Sequence, residues 1–487
     1  MLLERIVSEG LAHYSYLVGD RNQALVIDPR RDVDEYIKKA VASGMRIAHV
    51  LETHRNEDYF IGSMELASRT GAEVWHADSQ WDYQYGRAVT ADQRWKVGRL
   101  EVEAVSTPGH TPGSMSYLLR DPAGIPWMLF CGDALFAGDV GRIDLMGEDQ
   151  SAKNAGLLYE SLFSRILPLG DAVILCPAHG SGSVCGESIA ERIWTSIGIE
   201  KKHNSRLQAK SRDQFVASLM TSHLGRPPYF RRMEKANLEG GPLLGALPTP
   251  RPLDARSFWQ VSLSQNAQIL DTRQELAFSA AHVPGSQSIW LDGLASFAGW
   301  FFSYDRPILL VGEGNQMERA VAILLRLGFD SIAGFLAGGM LSWHMSGQQS
   351  QSIKTQIVQD LCHKLDDGEK LWILDVRFES ELDRDGRIEG AQHIPITTIS
   401  DRMDEVPKDR DVAIFCGSGM RSMVAASYLR ARGWKRLSVV LGGMAGWRSI
   451  KCPIRRLSDD QAASSSSGSK TGKISRAVQS LGLEKES

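Results

Sequence analysis

The first residues able to hold a metal follow a short, largely apolar run at residues 47–51, which predicts a buried strand. His54, Asn56, Asp58 and Tyr59 come directly after it, and a Gly-Ser turn and an amphipathic run then predict a helix. Strands that deliver imidazole and carboxylate groups at their carboxyl ends are a common way to build a site in an α/β protein. The spacing therefore predicts a ligand loop after this strand.

Three more polar residues follow predicted strands farther along the chain. His110 comes after Thr-Pro-Gly, Asp133 after Cys-Gly, and His179 after Cys-Pro-Ala. Because strands of one α/β unit tend to end at a common edge, we expect these side chains to lie near His54.

A second kind of chemistry is indicated near residue 416. A predicted strand at residues 412–415 is followed by Cys416 and then by a helical run. The intervening loop has backbone N–H groups and a helix start that favour an anion, and they should stabilise a thiolate or a persulfide. The residues of this sulfur-binding loop are Gly417, Ser418, Gly419, Met420, Arg421 and Ser422.

The second half of the chain contains an internal repeat with an offset of about 104 residues. Ile-Leu-Asp at 269–271 recurs at 373–375, and Gly-Gly-Met at 338–340 recurs at 442–444. We expect Val311 to stand where Cys416 stands in the second copy, so that the first copy has no nucleophile. His282 and Arg319 in the first copy are predicted to be structural.

Composition narrows the class of protein. The 487 residues are 43% hydrophobic and 23% charged, with a formal net charge of −3, which is ordinary for a globular chain and gives no basic surface for nucleic acid. No apolar run reaches the roughly 20 residues that cross a membrane, and no secretory signal is expected. Six scattered cysteines predict no disulfide framework and a cytoplasmic location.

These patterns predict an α/β multidomain protein. A proline-rich stretch at 234–256 is the expected linker after the first domain. The predicted domains are 1–233, 255–347 without the catalytic cysteine, 357–456 with it, and a disordered tail at 457–487.

The first half resembles the metallo-β-lactamase superfamily, and the resemblance rests on four blocks in order. They are the loop with His54 and Asp58, Thr-Pro-Gly-His110-Thr-Pro-Gly-Ser, Cys-Gly-Asp133 and Pro-Ala-His179-Gly. The resemblance implies an αββα sandwich with metal ligands at one edge.

Asn56 and Tyr59 stand where dinuclear hydrolases of this superfamily have histidine ligands, which disfavours a two-zinc hydrolase. His54, His110 and Asp133 remain, and they match the iron ligands of the persulfide dioxygenases, a branch of the superfamily. Two imidazoles and a carboxylate leave three positions on a mononuclear Fe(II) for substrate and O₂. Zinc is a possible substitute.

This resemblance implies oxidation of a low-molecular-weight thiol persulfide, RSSH, by O₂ and water to sulfite and thiol. Arg142 is expected to pair with a carboxylate of the thiol carrier. Cys185 is either a loop thiol that accepts a persulfide or a small buried residue, with neither favoured. The residues expected around the metal, orienting ligands or substrate, are Asn56, Asp58, Tyr59 and His179.

The Cys416 loop, the Leu-Asp-Val-Arg strand and the Gly-Gly-Met-x-x-Trp ending resemble the rhodanese family. Four residues separate Cys416 from Arg421, one fewer than in related phosphatase-type folds, and the shorter loop suits sulfur. The resemblance implies that Cys416 carries a persulfide. Sulfite from the metal site would take its outer sulfur to form thiosulfate, or thiosulfate would supply that sulfur in the reverse direction.

The resulting hypothesis is a persulfide dioxygenase fused to two rhodanese-like domains, acting in sulfane-sulfur metabolism and assembled as a homo-oligomer. Two alternatives stay open. One is a thioester hydrolase of glyoxalase II type with sulfurtransferase activity, and the other is a non-catalytic sulfur-carrier protein. Neither the thiol carrier nor the direction of sulfur transfer follows from the sequence.

Overall fold

The computed structural model describes residues 1–221, 225–314 and 316–454. They form two compact units: residues 1–249 with 321–330, and the other described residues. The predicted tail at 457–487 lies outside the described residues. Among the described helices, none is long and apolar enough to cross a membrane.

Two six-stranded sheets form the centre of the first unit. The first sheet, in strand order, contains β1 (Leu2–Ser8), β2 (His13–Asp20), β3 (Gln23–Ile27), β4 (Arg46–Leu51), β5 (Glu73–His76) and β6 (Arg87–Ala88). The second contains β7 (Arg94–Val97), β8 (Leu100–Ser106), β9 (Met115–Arg120), β10 (Pro126–Gly132), β11 (Ile174–Pro177) and β12 (Thr195–Ser196), also neighbours in this order.

Helices cover the outer face of each sheet. They are α1 (Asp34–Ala42), α2 (Ser63–Thr70), α3 (Glu148–Glu160), α4 (Ile197–His203), α5 (Arg212–Met220) and α6 (Phe230–Glu239). Leu100, Val102 and Ala104 alternate along β8 and face the first sheet, because successive side chains of a strand point to opposite faces. Separate apolar clusters pack α1 and α2 on the first sheet, and α3 and α5 on the second. The unit is thus the predicted αββα sandwich.

The second unit contains two parallel five-stranded sheets. The strands of the first repeat are β13 (Pro252–Leu253), β14 (Gln268–Asp271), β15 (Gln287–Ser288), β16 (Ile308–Val311) and β17 (Ile332–Leu336), and they lie in the sheet in the order β13-β17-β16-β14-β15. Those of the second are β18 (Lys354–Ile357), β19 (Trp372–Asp375), β20 (Gln392–His393), β21 (Val412–Phe415) and β22 (Leu437–Leu441), in the order β18-β22-β21-β19-β20. The identical order explains the repeat in the sequence.

The helices of the two repeats also occur in equivalent places. The first has α7 (Ala255–Ser264), α8 (Glu275–Ala280), α9 (Leu294–Phe301), α10 (Gln316–Arg326) and α11 (Gly339–Met345). The second has α12 (Val358–Asp366), α13 (Glu379–Asp385), α14 (Ile399–Arg402), α15 (Met420–Ala431) and α16 (Gly443–Ser449). Helix α10 continues into residues 321–330 of the first unit.

Strand register corrects the expected equivalence of Val311 and Cys416. Asp271 pairs with Val311 in the first repeat, and Asp375 pairs with Phe415 in the second. Val311 therefore matches Phe415, and the residue at the place of Cys416 is Gly312. The first repeat still lacks a thiol there.

Two other sequence-based expectations also change. Helix α6 continues to Glu239, so the predicted domain end at residue 233 and the linker from 234 cut through a helix. Cys362 and Cys452 form a disulfide with a Cα–Cα distance of 6.5 Å, an exception to the expectation of unpaired cysteines.

Candidate metal centre and sulfur-transfer loop

His54 is presented by the loop that follows β4. Its Nδ1 donates to Thr53 Oγ1 at 2.8 Å, and the Thr53 hydroxyl donates to Asp28 Oδ2 at 2.7 Å. This chain fixes the tautomer of His54, because the proton must be on Nδ1. Nε2 is therefore left with its lone pair, as a metal ligand requires.

His110 lies in the loop between β8 and β9 and is held in the same way. Its Nδ1 donates to the carbonyl oxygen of Arg142 at 2.9 Å, which leaves Nε2 free. Gly141 lies behind the ring, where an added Cβ would come within 1.9 Å of Asp133 O and 3.2 Å of His110 Nδ1. A larger residue at 141 would displace the ligand loop.

Asp78, which sequence reasoning missed, ties the two histidine loops together. Its Oδ2 accepts from the Arg55 backbone N–H and from the Thr111 hydroxyl, both at 2.8 Å, and its Oδ1 accepts from Gly113 N at 2.7 Å. Asp78 lies two residues after the end of β5. No recognisable motif surrounds it, so its role could not be predicted from the sequence.

Asp133 directly follows β10 and is oriented by His179. His179 Nδ1 donates to Asp133 Oδ1 at 2.7 Å, and His179 Nε2 donates to Asp58 Oδ2 at 2.9 Å. Burial opposes a charged imidazole, but the carboxylates of Asp133 and Asp58 raise the pKa of His179 well above its usual value. With both nitrogens donating, His179 orients Asp133 and leaves Oδ2 of that carboxylate for another partner.

Ligand atoms of four buried side chains converge beyond these anchors. His110 Nε2 lies 3.5 Å from Asp133 Oδ2 and 3.4 Å from Glu57 Oε1, and His54 Nε2 lies 3.9 Å from Asp133 Oδ2 and 4.0 Å from Glu57 Oε2. Two ligands of one ion at about 2.1 Å each are at most about 4.2 Å apart, so all four separations suit a common ion.

Hydrogen bonding also supports a metal here. Among the described residues, His54 Nε2, His110 Nε2, Asp133 Oδ2 and Glu57 Oε2 are buried without a hydrogen-bond partner. Each such atom costs about 1–3 kcal/mol when unpaired. A bound cation removes this cost at all four, and the donor set therefore fits a divalent metal.

The other predicted residues surround this cluster. Asn56 Nδ2 donates to His54 O at 3.3 Å, and the Tyr59 hydroxyl donates to Asp28 O at 3.4 Å. Neither side chain reaches the four converging atoms with a hydrogen bond. Tyr59 instead packs on the ring of His13, with ring centroids 4.0 Å apart.

Arg142 already has a partner in this structure. Its guanidinium is buried and donates to both carboxylate oxygens of Asp144, at 2.7 and 2.6 Å, and to Val184 O at 3.1 Å. The predicted pairing with a thiol carrier would have to replace Asp144 and stays a prediction. In this structure Arg142 serves the site through its backbone carbonyl.

Cys185 lies at the site, but as a buried thiol. Its Sγ donates to Glu57 Oε1 at 3.4 Å. Burial and the nearby Asp58 carboxylate raise the pKa of Cys185 well above its usual value. Since the thiolate is the reactive form, these surroundings disfavour Cys185 as a sulfur acceptor.

A residue of α6 positions the ligand loop from a distance in sequence. Asn237 Nδ2 donates to Asn56 O at 2.7 Å and to Tyr59 O at 2.9 Å, and its Oδ1 accepts from Ile61 N at 3.0 Å. Asn237 lies in the stretch predicted as a linker, and no motif around it indicates this contact.

The sulfur-binding loop begins at the carboxyl end of β21. Cys416 Sγ is buried and accepts from Gly419 N at 3.1 Å. Carbonyls of Cys416 and Ser418 accept from Met444 N at 2.9 Å and Gly442 N at 2.8 Å, so the repeated Gly-Gly-Met motif fastens the loop from behind.

Arg421 borders this loop and is paired. Its Nη2 donates to Glu381 Oε1 at 2.7 Å, and its Nη1 donates to the other carboxylate oxygen. The guanidinium also lies against the backbone of Gly417, since a Cβ added there would be 3.0 Å from Nη2. The loop thus combines a thiol, backbone N–H groups and a fixed positive charge.

Comparisons with known proteins agree with this description. A family model described as the metallo-beta-lactamase superfamily matches residues 9–179, and one described as the rhodanese-like domain matches residues 254–346 and 358–450. A solved metallo-beta-lactamase from Staphylococcus aureus is 29% identical with a TM-score of 0.62, over 69% of this chain and 98% of that chain.

Curated relatives align with separate parts of the chain. The mitochondrial persulfide dioxygenase ETHE1 of Bos taurus is 27% identical over 50% of this chain and 89% of its own length. The hydroxyacylglutathione hydrolase GloC of Haemophilus influenzae is 25% identical over 40% of this chain and 93% of its own. A sulfurtransferase of Allochromatium vinosum is 38% identical over 20% of this chain and 89% of its own. The chain therefore belongs to the metallo-β-lactamase superfamily through its first domain and to the rhodanese-like family through the two domains that follow.

Proposed function

We propose that this protein oxidises a low-molecular-weight thiol persulfide with O₂ at a mononuclear Fe(II) centre and transfers sulfane sulfur at Cys416. The observation that carries the proposal is the set of anchored, unpartnered donor atoms of His54, His110 and Asp133. They persist although Asn56 and Tyr59 have replaced two ligands of the dinuclear hydrolases. Relatedness to a persulfide dioxygenase and to a sulfurtransferase supports the same reaction class.

The balanced reaction is RSSH + O₂ + H₂O → RSH + SO₃²⁻ + 2H⁺. Iron, when bound, would bring sulfur and O₂ together and supply the electrons that activate O₂. His54, His110 and Asp133 would hold it. His179 keeps Asp133 in orientation through the 2.7 Å hydrogen bond, and its second nitrogen stays bound to Asp58.

Cys416 supplies the second half of the chemistry. A persulfide on Cys416 can pass its outer sulfur to sulfite, which gives thiosulfate and returns the Cys416 thiolate. The Gly419 N–H already donates to this sulfur, and Arg421 adds positive charge beside the loop. Both features stabilise the anionic sulfur that leaves or arrives.

The test is O₂ consumption by iron-loaded protein with glutathione persulfide, with sulfite and thiosulfate measured together. Uptake that yields sulfite and disappears in His110→Ala is the expected result. Cys416→Ser is the matched control, and it should keep O₂ uptake while losing thiosulfate formation. Failure with a panel of persulfides at full iron occupancy would refute the dioxygenase.

A thioester hydrolase is the second candidate, because the hydroxyacylglutathione hydrolase GloC is also a relative. In this chain His179 has both nitrogens engaged by carboxylates, and Tyr59 is turned toward Asp28 and His13. A second metal would have to displace the hydrogen bond between His179 and Asp58, and it would have no imidazole at position 59. Anaerobic turnover of a hydroxyacylglutathione by the zinc-loaded protein would favour the hydrolase instead.

A further inference from the structure

Glu57 is the residue of the metal centre that the sequence pattern did not single out. It lies between Asn56 and Asp58 in the ligand loop and is fully buried. Its two carboxylate oxygens lie 3.4 Å from His110 Nε2 and 4.0 Å from His54 Nε2. A carboxylate at this depth needs a cation. Among the described residues, only His54 and His110 lie within ion-pair distance of it, and neither donates it a hydrogen bond.

The way in which Glu57 is held matches the way in which Asp133 is held. Asp133 accepts from His179 through Oδ1 and keeps Oδ2 unpartnered, while Glu57 accepts from the Cys185 thiol through Oε1 and keeps Oε2 unpartnered. Both histidines likewise use Nδ1 for an anchor and keep Nε2. All four side chains thus fix one polar atom and leave another facing the others.

We propose that Glu57 is a fourth protein ligand, so that the resident metal is held by two histidines and two carboxylates. The ligand atoms are His54 Nε2, His110 Nε2, Asp133 Oδ2 and Glu57 Oε2. Cys185 is a positioning residue, because its thiol keeps Oε1 engaged and leaves Oε2 for the metal. This inference rests on metal binding within the proposed function, but it does not depend on the reaction being a dioxygenation.

Two consequences separate this centre from one with two histidines and a single carboxylate. Two carboxylates neutralise a divalent ion, and the added oxygen favours harder ions such as Fe(II) and Mn(II). Four protein ligands also leave two of six positions open rather than three.

Manganese binding tests the inference without any substrate. The metal-free full chain is titrated with Mn(II), and the free-ion electron paramagnetic resonance signal gives the dissociation constant. Glu57→Gln should weaken binding by more than the roughly 10–100-fold that loss of an outer partner costs, and Cys185→Ala, which removes the donor to Oε1, should fall within that range. Glu57→Asp, which keeps the charge, should recover part of the affinity.

The matched control is Glu65→Gln, a buried glutamate in the same unit that also has an unpartnered carboxylate oxygen. It should bind Mn(II) as the wild type does. Line broadening in ¹⁷O-labelled water counts the bound waters, with two expected in the wild type and three in Glu57→Ala. Circular dichroism checks that every variant is folded.

Wild-type affinity in Glu57→Gln, or three waters in the wild type, would overturn the inference. Tighter binding in Glu57→Gln would also overturn it, since Glu57 would then be a counter-ion that competes with the metal. Loss of affinity in Glu57→Gln together with no O₂ uptake from persulfides would keep the inference and reject the dioxygenase. Persulfide-dependent O₂ uptake by the wild type, together with unchanged Mn(II) affinity in Glu57→Gln, would support the dioxygenase and reject Glu57 as a ligand.

Discussion

The two rhodanese-like repeats share a framework and differ in the loop that does chemistry. In each, an Asp-x-Arg sequence forms a buried ion pair, between Asp271 and Arg273 at 2.7 Å and between Asp375 and Arg377 at 2.6 Å. In each, a buried tryptophan closes the domain, and its indole N–H donates to a carbonyl six residues later. The framework is therefore maintained without the thiol.

The loops at the carboxyl ends of β16 and β21 have different residues at the two positions that the proposed sulfur transfer needs. Gly312 stands at the place of Cys416, and Met317 stands at the place of Arg421. A Cβ added to Gly312 would lie 2.2 Å from Met317 Cε, so the methionine fills the space in which Cys416 projects its thiol. The second repeat has the Cys416 thiol near the Arg421 guanidinium, and the first has the apolar side chain of Met317 in the corresponding space.

The largest expected difference is in sulfur transfer. Cys416→Ser should reduce thiocyanate formation from thiosulfate and cyanide by about 10³-fold or more, because the nucleophile is lost. Gly312→Cys in the Cys416→Ser background should not restore thiocyanate formation. Met317 fills the space that the new thiol would need, and Met317 rather than an arginine stands at the place of Arg421. Recovery of activity in the double variant would break the comparison.

Stability should show the next difference. Gly443 and Gly339 both have left-handed φ values, +47° and +59°, so alanine costs each about 1–2 kcal/mol. At Gly443 the added Cβ would also lie 2.4 Å from Cys416 O, whereas at Gly339 the nearest atom, Gly312 O, is 3.4 Å away. We expect Gly443→Ala to lose about 3 kcal/mol of unfolding free energy and Gly339→Ala about half of that, as measured by urea titration.

Arg421→Met copies the first repeat into the second. Because a charge-assisted hydrogen bond contributes about 1.5–3 kcal/mol, kcat/KM for thiosulfate should fall about 10–100-fold. Arg421→Lys should lose less, since it keeps the charge but not the two-pronged contact with Glu381. If Arg421→Met lowered kcat/KM equally for thiosulfate and for an uncharged sulfur donor, Arg421 would have a purely structural role.

The smallest effect is a pH dependence that belongs to the first repeat. Burial lowers the pKa of His282 to about 4, and its Nδ1 donates to Phe278 O at 2.8 Å. The unfolded chain, with a pKa near 6.5, binds more protons between pH 4 and 6.5, so stability decreases as the pH falls through this window.

The second repeat has Arg387, which does not titrate in this range, in the equivalent place, since Gly386 accepts from Arg377 as Ala281 accepts from Arg273. It gives the internal control. Between pH 7 and 5, amide exchange in β14 and β16 should report about 1–2 kcal/mol of lost protection, and exchange in β19 and β21 should change less. His282→Gln should flatten the first response. If it remains, another group is responsible.

The sequence predicted much of the architecture because periodicity and repeated motifs report burial. The strands predicted at 47–51 and 412–415 are β4 and β21, and His54, His110 and Asp133, each predicted at a strand end, lie close together. The burial of Glu57 could not be predicted, because a single acidic residue in a polar loop belongs to no periodic apolar pattern. Its burial depends on a fold that brings β4 and β10 together.

The contacts that could not be predicted join residues far apart in the sequence. Asp78 and Asn237 hold the ligand loops through backbone groups, and such bonds leave no pattern in the side chains of the residues held. The ion pair of Arg142 could not be predicted for a related reason. Its partner Asp144 is only two residues away, and the spacing alone does not show which way the guanidinium points.

Asn237 sets a practical limit on dissecting this protein. The superfamily match stops at residue 179, yet α6 supplies hydrogen bonds to two carbonyls of the ligand loop. A gene fragment cut at the end of the match would leave those carbonyls to water and let the loop carrying Glu57 relax. The smallest piece worth expressing for metal studies therefore ends beyond Gly240, where the chain leaves the helix with a φ of +81°.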